Sequence, residues 1–113
     1  MKDLLIIDLA IFLPFIFMYF FPPKELNAIY GYRTKRSSKD QKSWDFAQKY
    51  SAKRFIYILI FIAFSQVMMI LSGVDINQDA SFIIGVTLSI FIIGAVACVI
   101  STEIALKKLQ ENA

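Results

Sequence analysis

The stretch FIYILIFIAF (residues 55–64) decides the fold. A helix packed in a water-soluble core turns a polar side chain to solvent about every 3.6 residues. This stretch has no such polar face. Read outward, it opens an apolar block at 55–72, and two more blocks lie at 4–21 and 82–101, with Asp8 the one charged residue among all three. A bilayer's hydrocarbon core needs about 20 apolar residues in helix, with a usable range of roughly 17–25. All three blocks qualify. A chain of 113 residues that is 58% hydrophobic, with a mean hydropathy of +0.60, is also too apolar for an ordinary soluble domain. The sequence therefore predicts an all-α integral membrane protein: three transmembrane helices in a single membrane domain, residues 1–113, with a long loop at 22–54. The first block reads as a retained span rather than a signal peptide. Lys2 is the only basic residue before it, Asp8 interrupts it, and FFPPKE follows where a small-residue cleavage site would stand.

Charge sets the expected orientation. Of the 12 Lys and Arg residues, Lys24, Arg33, Lys35, Arg36, Lys39, Lys42, Lys49, Lys53 and Arg54 lie between the first two spans, and Lys107 and Lys108 follow the third. The connection at 73–81 has none and carries Asp75 and Asp79. Three spans put the long loop and the C-terminus on one side of the membrane. The positive-inside rule makes that side the cytoplasm, with the N-terminus outside.

The loop and its flanks hold the most informative residues. Pro14 falls inside the first span, where proline usually kinks a membrane helix, and Pro22-Pro23 end that span. Beyond Gly31 the chain turns. Ser38-x-x-Gln41 fits a capping box, with Ser37 as an alternative cap. No Gly or Pro occurs between Ser38 and Ser72. Within residues 39–54, Trp44, Ala47, Ser51 and Phe55 fall near one stripe, and Lys39, Lys42, Lys49 and Lys53 lie largely off it. The pattern predicts a basic amphipathic interfacial helix before the second span, facing anionic lipid head groups and bending near 51–54. One straight helix projecting from the bilayer is the alternative.

The third span has a different texture. Ser81, Gly85, Ser89, Ala97 and Ser101 recur at multiples of four, and Gly94, Cys98 and Thr102 make a second small-residue row. Small residues let helix backbones approach closely in lipid. They serve packing within the chain or a homo-oligomer.

Polar residues inside or beside the spans are candidates for chemistry. Asp8 lies about one turn inside the first helix. It contacts a cation, proton or ligand, or it reaches the outer head groups or is protonated. Gln66, near the middle of the second span, calls for an interhelical hydrogen-bond partner. Glu103, at the end of the third span, is at the depth of the basic loop and within reach of an ion pair with Arg33 or Arg54. Arg33 offers a planar fork for a carboxylate or phosphate, and Gly31 beside it permits a tight turn.

Several classes are excluded. The chain has no His, which removes imidazole bases, Ser-His triads and His-ligated metals. Cys98 stands alone. Phosphate loops, dinucleotide fingerprints, nucleophile elbows and zincin motifs are missing from the sequence. The basic residues sit beside anionic lipid and carry no nucleic-acid fold signature, so no nucleic-acid partner is expected. The expectation is a non-enzymatic protein without cofactor or metal.

Asn27, Gly31, Tyr32, Arg33 and Thr34, then Ser37 or Ser38, then Trp44, Ala47 and Gln48 resemble the SdpI family of small bacterial integral membrane proteins. In that family a span is followed by an N-x-x-x-G-x-R-T stretch, a Ser-containing turn and a Trp-bearing helix. The resemblance covers the three-span module, and its specific part is about twenty residues. It implies a protein acting by binding. The family's named member, which has further membrane helices before the module, gives immunity to a secreted peptide toxin and holds a transcriptional repressor at the membrane. The implied partners are a membrane-active peptide or a protein docked on the cytoplasmic loop. An accessory subunit of a larger complex and an oligomeric small-solute or lipid-handling transporter are the alternatives. The binding candidates are Asn27, Gly31, Arg33, Thr34, Ser38, Trp44, Gln48 and Glu103, with Asp8 and Gln66 as intramembrane polar residues. For the motif residues, a purely structural role in pinning the loop to the helix ends competes with ligand binding.

Overall fold

The computed structural model describes residues 2–27 and 30–112. Three helices account for most of them: α1 (Lys2–Phe20), α2 (Gln41–Leu71) and α3 (Ala80–Glu111). No strand occurs among the described residues. Each helix is long and apolar enough to cross a membrane. Large apolar side chains point outward along their length, among them Phe20, Phe64, Leu71 and Ile93, each more than 60% exposed. Water would not tolerate that surface, and lipid does. The chain is a multi-pass membrane protein.

The amphipathic segment differs from its expected form. No bend falls at 51–54. The segment is the start of α2, a helix of 31 residues, which is about 46 Å at 1.5 Å per residue. The molecule measures 53 × 23 × 18 Å, and α2 stays alongside α3 down its long axis, with Ser43 bonded to Gln110 and Cys98 to the Ser51 carbonyl, so the segment does not lie sideways in the interface. The physical reason lies on the buried face of α2. Trp44, Ala47, Gln48, Ser51, Phe55, Leu59 and Ile62 form one continuous stripe. The facing stripe on α3 is Ile83, Thr87, Cys98, Thr102 and Leu106. The stripe that looked like an aromatic anchor for lipid is the seam that packs on α3, and it continues past the span without interruption.

The helix ends are set locally. Asp40, not Ser38 or Ser37, caps α2: its carboxylate accepts from the Ser43 backbone N–H at 2.7 Å, and that bond holds its carboxyl below the usual range. At the other end Gly73 takes φ +101°, and the N–H groups of Gly73 and Val74 donate back to Ile70 and Met69. This is a Schellman close. Asp75 then accepts from Asn77 and Gln78 N–H, which keeps its carboxyl below the usual range, and α3 begins. α1 runs through Pro14 and ends before Pro22-Pro23.

The two small-residue rows separate. Gly94 lies so close to α2 that a Cβ there would sit 3.0 Å from three Ile58 carbons. Cys98 and Thr102 are buried beside it. Ser81, Gly85 and Ser89 remain exposed, and a Cβ on Gly85 would meet nothing within 4 Å among the described residues.

One polar cluster joins all three helices inside the membrane. The Gln66 amide donates to Asp8 Oδ1 at 2.8 Å and to Thr87 Oγ1 at 2.9 Å. Asp8 thus has a partner within the chain, and Gln66 makes the interhelical bond its depth required. Replacing Gln66 by Leu removes both bonds and leaves Asp8 and Thr87 without that donor. Unfolding in detergent is expected to become easier by roughly 0.5–2 kcal/mol. An unchanged unfolding midpoint would remove this clamp from the account of α1 docking.

Candidate binding site at the basic end

The site is built around a buried amide. Gln48 is 3% exposed. Its Oε1 accepts from the Tyr32 backbone N–H and its Nε2 donates to the Tyr32 carbonyl, both at 2.7 Å. The side chain therefore satisfies one whole residue of the loop, as a neighbouring strand would. Gly31 makes the approach possible. Its φ is +102°, and a Cβ there would lie 2.5 Å from Pro23 Cγ and 2.6 Å from Gln48 Oε1.

Trp44, fully buried one turn before Gln48, donates its indole N–H to the Pro23 carbonyl at 3.0 Å. The exit of α1 is thereby tied to the start of α2. Asn27 stabilises the turn between them: its Oδ1 accepts from Tyr30 N–H at 2.7 Å and its Nδ2 donates to the Glu25 carbonyl at 3.1 Å. The Tyr30 hydroxyl donates to the Phe21 carbonyl.

Beyond Gly31, inward and outward residues sort cleanly. Tyr32 turns inward onto Ala47 and Leu106, forming a small apolar core outside the apolar spans. Its hydroxyl reaches Glu103 Oε2 at 3.2 Å, and the Thr34 hydroxyl donates to the same oxygen at 3.1 Å. Thr34 and Ser37 exchange bonds, Thr34 N–H to Ser37 Oγ at 2.7 Å and Ser37 N–H to Thr34 Oγ1 at 3.2 Å. Ser37 is fully buried. Gln110 closes the far side by donating to the Arg36 carbonyl and to Ser43 Oγ. Among the described residues every buried side-chain nitrogen and oxygen has a partner. Arg33, Lys35, Arg36 and Ser38 lie on the outer surface.

The structure thus brings together Gly31, Thr34, Trp44, Gln48 and Glu103 as one knit unit, with Asn27 on its flank. Ser38 stays outside it, contributing a backbone N–H to the Thr34 carbonyl. Asp8 and Gln66 belong to the intramembrane cluster and not to this site. Sequence reasoning undervalued Tyr32 and Ser37, the two inward residues that fix which loop side chains face out. It also missed Thr87, a hydroxyl set among apolar neighbours on α3. Burial and the Glu103 carboxylate both push the Tyr32 phenol well above its ordinary value. No cluster of three or more potential metal ligands occurs among the described residues.

A site of this form, a G-x-R-T turn locked to a Trp-bearing helix between two spans, defines a small multi-pass module of one class. The chain matches the SdpI/YfhL protein family over residues 24–103, and it belongs to that family. It is similar to the uncharacterized protein YfhL of Bacillus subtilis (strain 168), with 37% identity over 97 residues that cover 84% of this chain and 74% of YfhL. No solved structure matches it.

Two outcomes are expected. Gly31→Ala adds a steric clash to the backbone strain, and Gly73→Ala, at φ +101° in open space, adds strain alone. Thermal unfolding in detergent should show a loss of about 1 kcal/mol for Gly73→Ala and about 2–4 kcal/mol for Gly31→Ala. Equal losses would show that close packing at Gly31 is unimportant. The second concerns pH. A raised phenol pKa means the stability from Tyr32 is complete below pH 10, its ordinary value, and falls as pH rises beyond it, because the unfolded phenol ionises first. Absorbance at 295 nm should show the folded protein and folded Tyr32→Phe titrating with the same amplitude, because Tyr32 contributes none of it in the ordinary tyrosine range. Normal titration of all five tyrosines would contradict the burial described.

Proposed function

We propose that this protein is non-enzymatic and acts by binding at its basic end, as a membrane-anchored immunity or signalling component. The observation that carries this reading is the sorting of the loop. Gly31, Tyr32, Thr34, Ser37, Trp44 and Gln48 are used up in holding the turn. Lys35 and Arg36 remain as exposed cations on the outer surface of that turn. Cations on a turn whose backbone is already held lose little loop entropy on docking and suit an acidic protein surface. The motif is structural in its inward half and a contact surface in its outward half.

The positive charge at this end supports placing it in the cytoplasm, with the N-terminus outside, in the bacterial inner membrane. A partner held at this face would be a soluble protein kept at the membrane. A peptide toxin would meet the lipid-exposed faces of the helices. Membership in the SdpI/YfhL family supports both.

The test is a deletion strain challenged with the peptide toxins made by the source organism and its neighbours. Loss of the gene is expected to lower survival against at least one of them. Wild-type protein should restore survival, and Lys35→Glu/Arg36→Glu should not, while its unfolding midpoint in detergent stays unchanged. Unaltered survival on deletion, or full rescue by the charge-reversed variant, would count against the reading.

A second reading, as an accessory subunit of a larger complex, is favoured by one observation: the Ser81, Gly85 and Ser89 face of α3 is uncovered within the chain. A stoichiometric partner recovered in mild detergent, and lost on Gly85→Leu, would support it.

A further inference from the structure

A second basic feature lies apart from the outward loop. Where the chain leaves α1, Pro22, Pro23 and Lys24 face Asp45, Gln48 and Lys49 of α2 across a cleft of about 300 Å³. An adjoining cleft of about 240 Å³ is lined by Tyr19, Pro22, Gln48, Lys49, Ala52 and Lys53. The two share Pro22, Gln48 and Lys49. Together they are lined by three lysines, Lys24, Lys49 and Lys53, and one acid, Asp45. That carboxylate is already engaged, since Asp45 Oδ1 accepts from Gln41 Nε2 at 2.8 Å. The same Gln41 nitrogen donates to the Lys24 carbonyl at 2.6 Å, which fixes the Lys24 backbone over the cleft. The Trp44 indole holds Pro23 from behind. The backbone at Pro23 and Lys24 is therefore tied to α2, and the net charge of the lining residues is positive.

The depth of the cleft selects the occupant. α1 has 19 residues, about 28 Å of helix, close to the roughly 30 Å thickness of a hydrocarbon core. Its end at Phe20 marks the edge of the apolar layer. Phe15 stacks on Phe55 at 4.2 Å. α1 and α2 run antiparallel, so the level of Phe20 on α1 falls near Tyr50 on α2. Lys49 and Lys53 straddle that level, where long lysine stems reach toward head groups. Tyr19, Pro22 and Ala52 add apolar surface to the cleft beside the lysines. A wholly soluble anion would leave that surface unused. A molecule with a phosphodiester at one end and acyl chains at the other uses both.

We propose that this cleft is a binding site for the phosphodiester head group of one anionic phospholipid. The lipid phosphate sits among Lys24, Lys49 and Lys53, with its chains descending beside α1 and α2. This site needs the upright α2 found here. A helix lying flat would spread the same lysines along the membrane surface and hold no single lipid.

The test uses the full chain purified in mild detergent, with lipid retention read by native mass spectrometry against equimolar phosphatidylglycerol and phosphatidylcholine. One phosphatidylglycerol per chain is expected to be retained, preferred by about tenfold or more, since each lysine near a membrane surface contributes on the order of 1 kcal/mol. Lys24→Gln/Lys49→Gln/Lys53→Gln should abolish the preference. The control Lys39→Gln/Lys107→Gln/Lys108→Gln, which removes equal charge at the same end, should retain it. Lys49→Arg/Lys53→Arg should also bind, and helical circular dichroism verifies that each variant is folded. Excess glycerol phosphate or inorganic phosphate should not displace the lipid. Equal loss in the control would mean a diffuse field and no site. Retention by the triple variant would overturn the proposal, as would displacement by the soluble phosphates.

Discussion

The basic end of this protein depends on one side chain meeting one residue of loop backbone. Gln48 exchanges two 2.7 Å hydrogen bonds with the N–H and C=O of Tyr32, away from water. Each such bond adds only about 1 kcal/mol net, but leaving either backbone group buried and unpaired costs about 1–3 kcal/mol. A glutamate could accept and not donate, and an aliphatic side chain could do neither. The constraint sets the direction of the neighbours. With Tyr32 held inward, Arg33 turns out, and Thr34 is delivered to Glu103. Gly31 must lack a Cβ because Gln48 and Pro23 occupy its place.

The second constraint is the long seam between α2 and α3. In lipid there is no hydrophobic force to drive helices together, so close packing and polar contacts do that work. Gly94 against Ile58 and the Gln66 bonds to Asp8 and Thr87 supply them within the apolar layer. Outside that layer the same seam carries Trp44, Ala47 and Leu106, and the rules of a water-soluble core return. One helix pair thus crosses two solvents without changing its packing face. The rod it forms carries the basic loop at one end.

How legible all this was differs by residue. The spans were plain in the sequence because an unbroken apolar run has no other stable home. The helix of residues 41–54 was visible too, though not its direction, because a stripe of Trp44, Ala47, Ser51 and Phe55 reads alike whether it meets lipid or another helix. Asp40 was overlooked as a cap because two serines stood ahead of it and a Ser-x-x-Gln pattern competes with an isolated Asp. Gln66 declared its need for a partner by its depth alone. Thr87 did not, since a threonine in a membrane helix can satisfy itself on its own backbone.

The sequence by itself determined the solvent of this protein, the number of its crossings and which end carries the charge. Those are properties of local composition, and they follow from transfer free energies that need no partner. Only the tertiary structure decided that α2 stands upright, that Gln48 reads the loop backbone, and that Glu103 receives the hydroxyls of Tyr32 and Thr34. Each of these joins residues from 16 to about 70 positions apart, and a hydrogen bond between distant residues exists only once packing has brought donor and acceptor within about 3 Å.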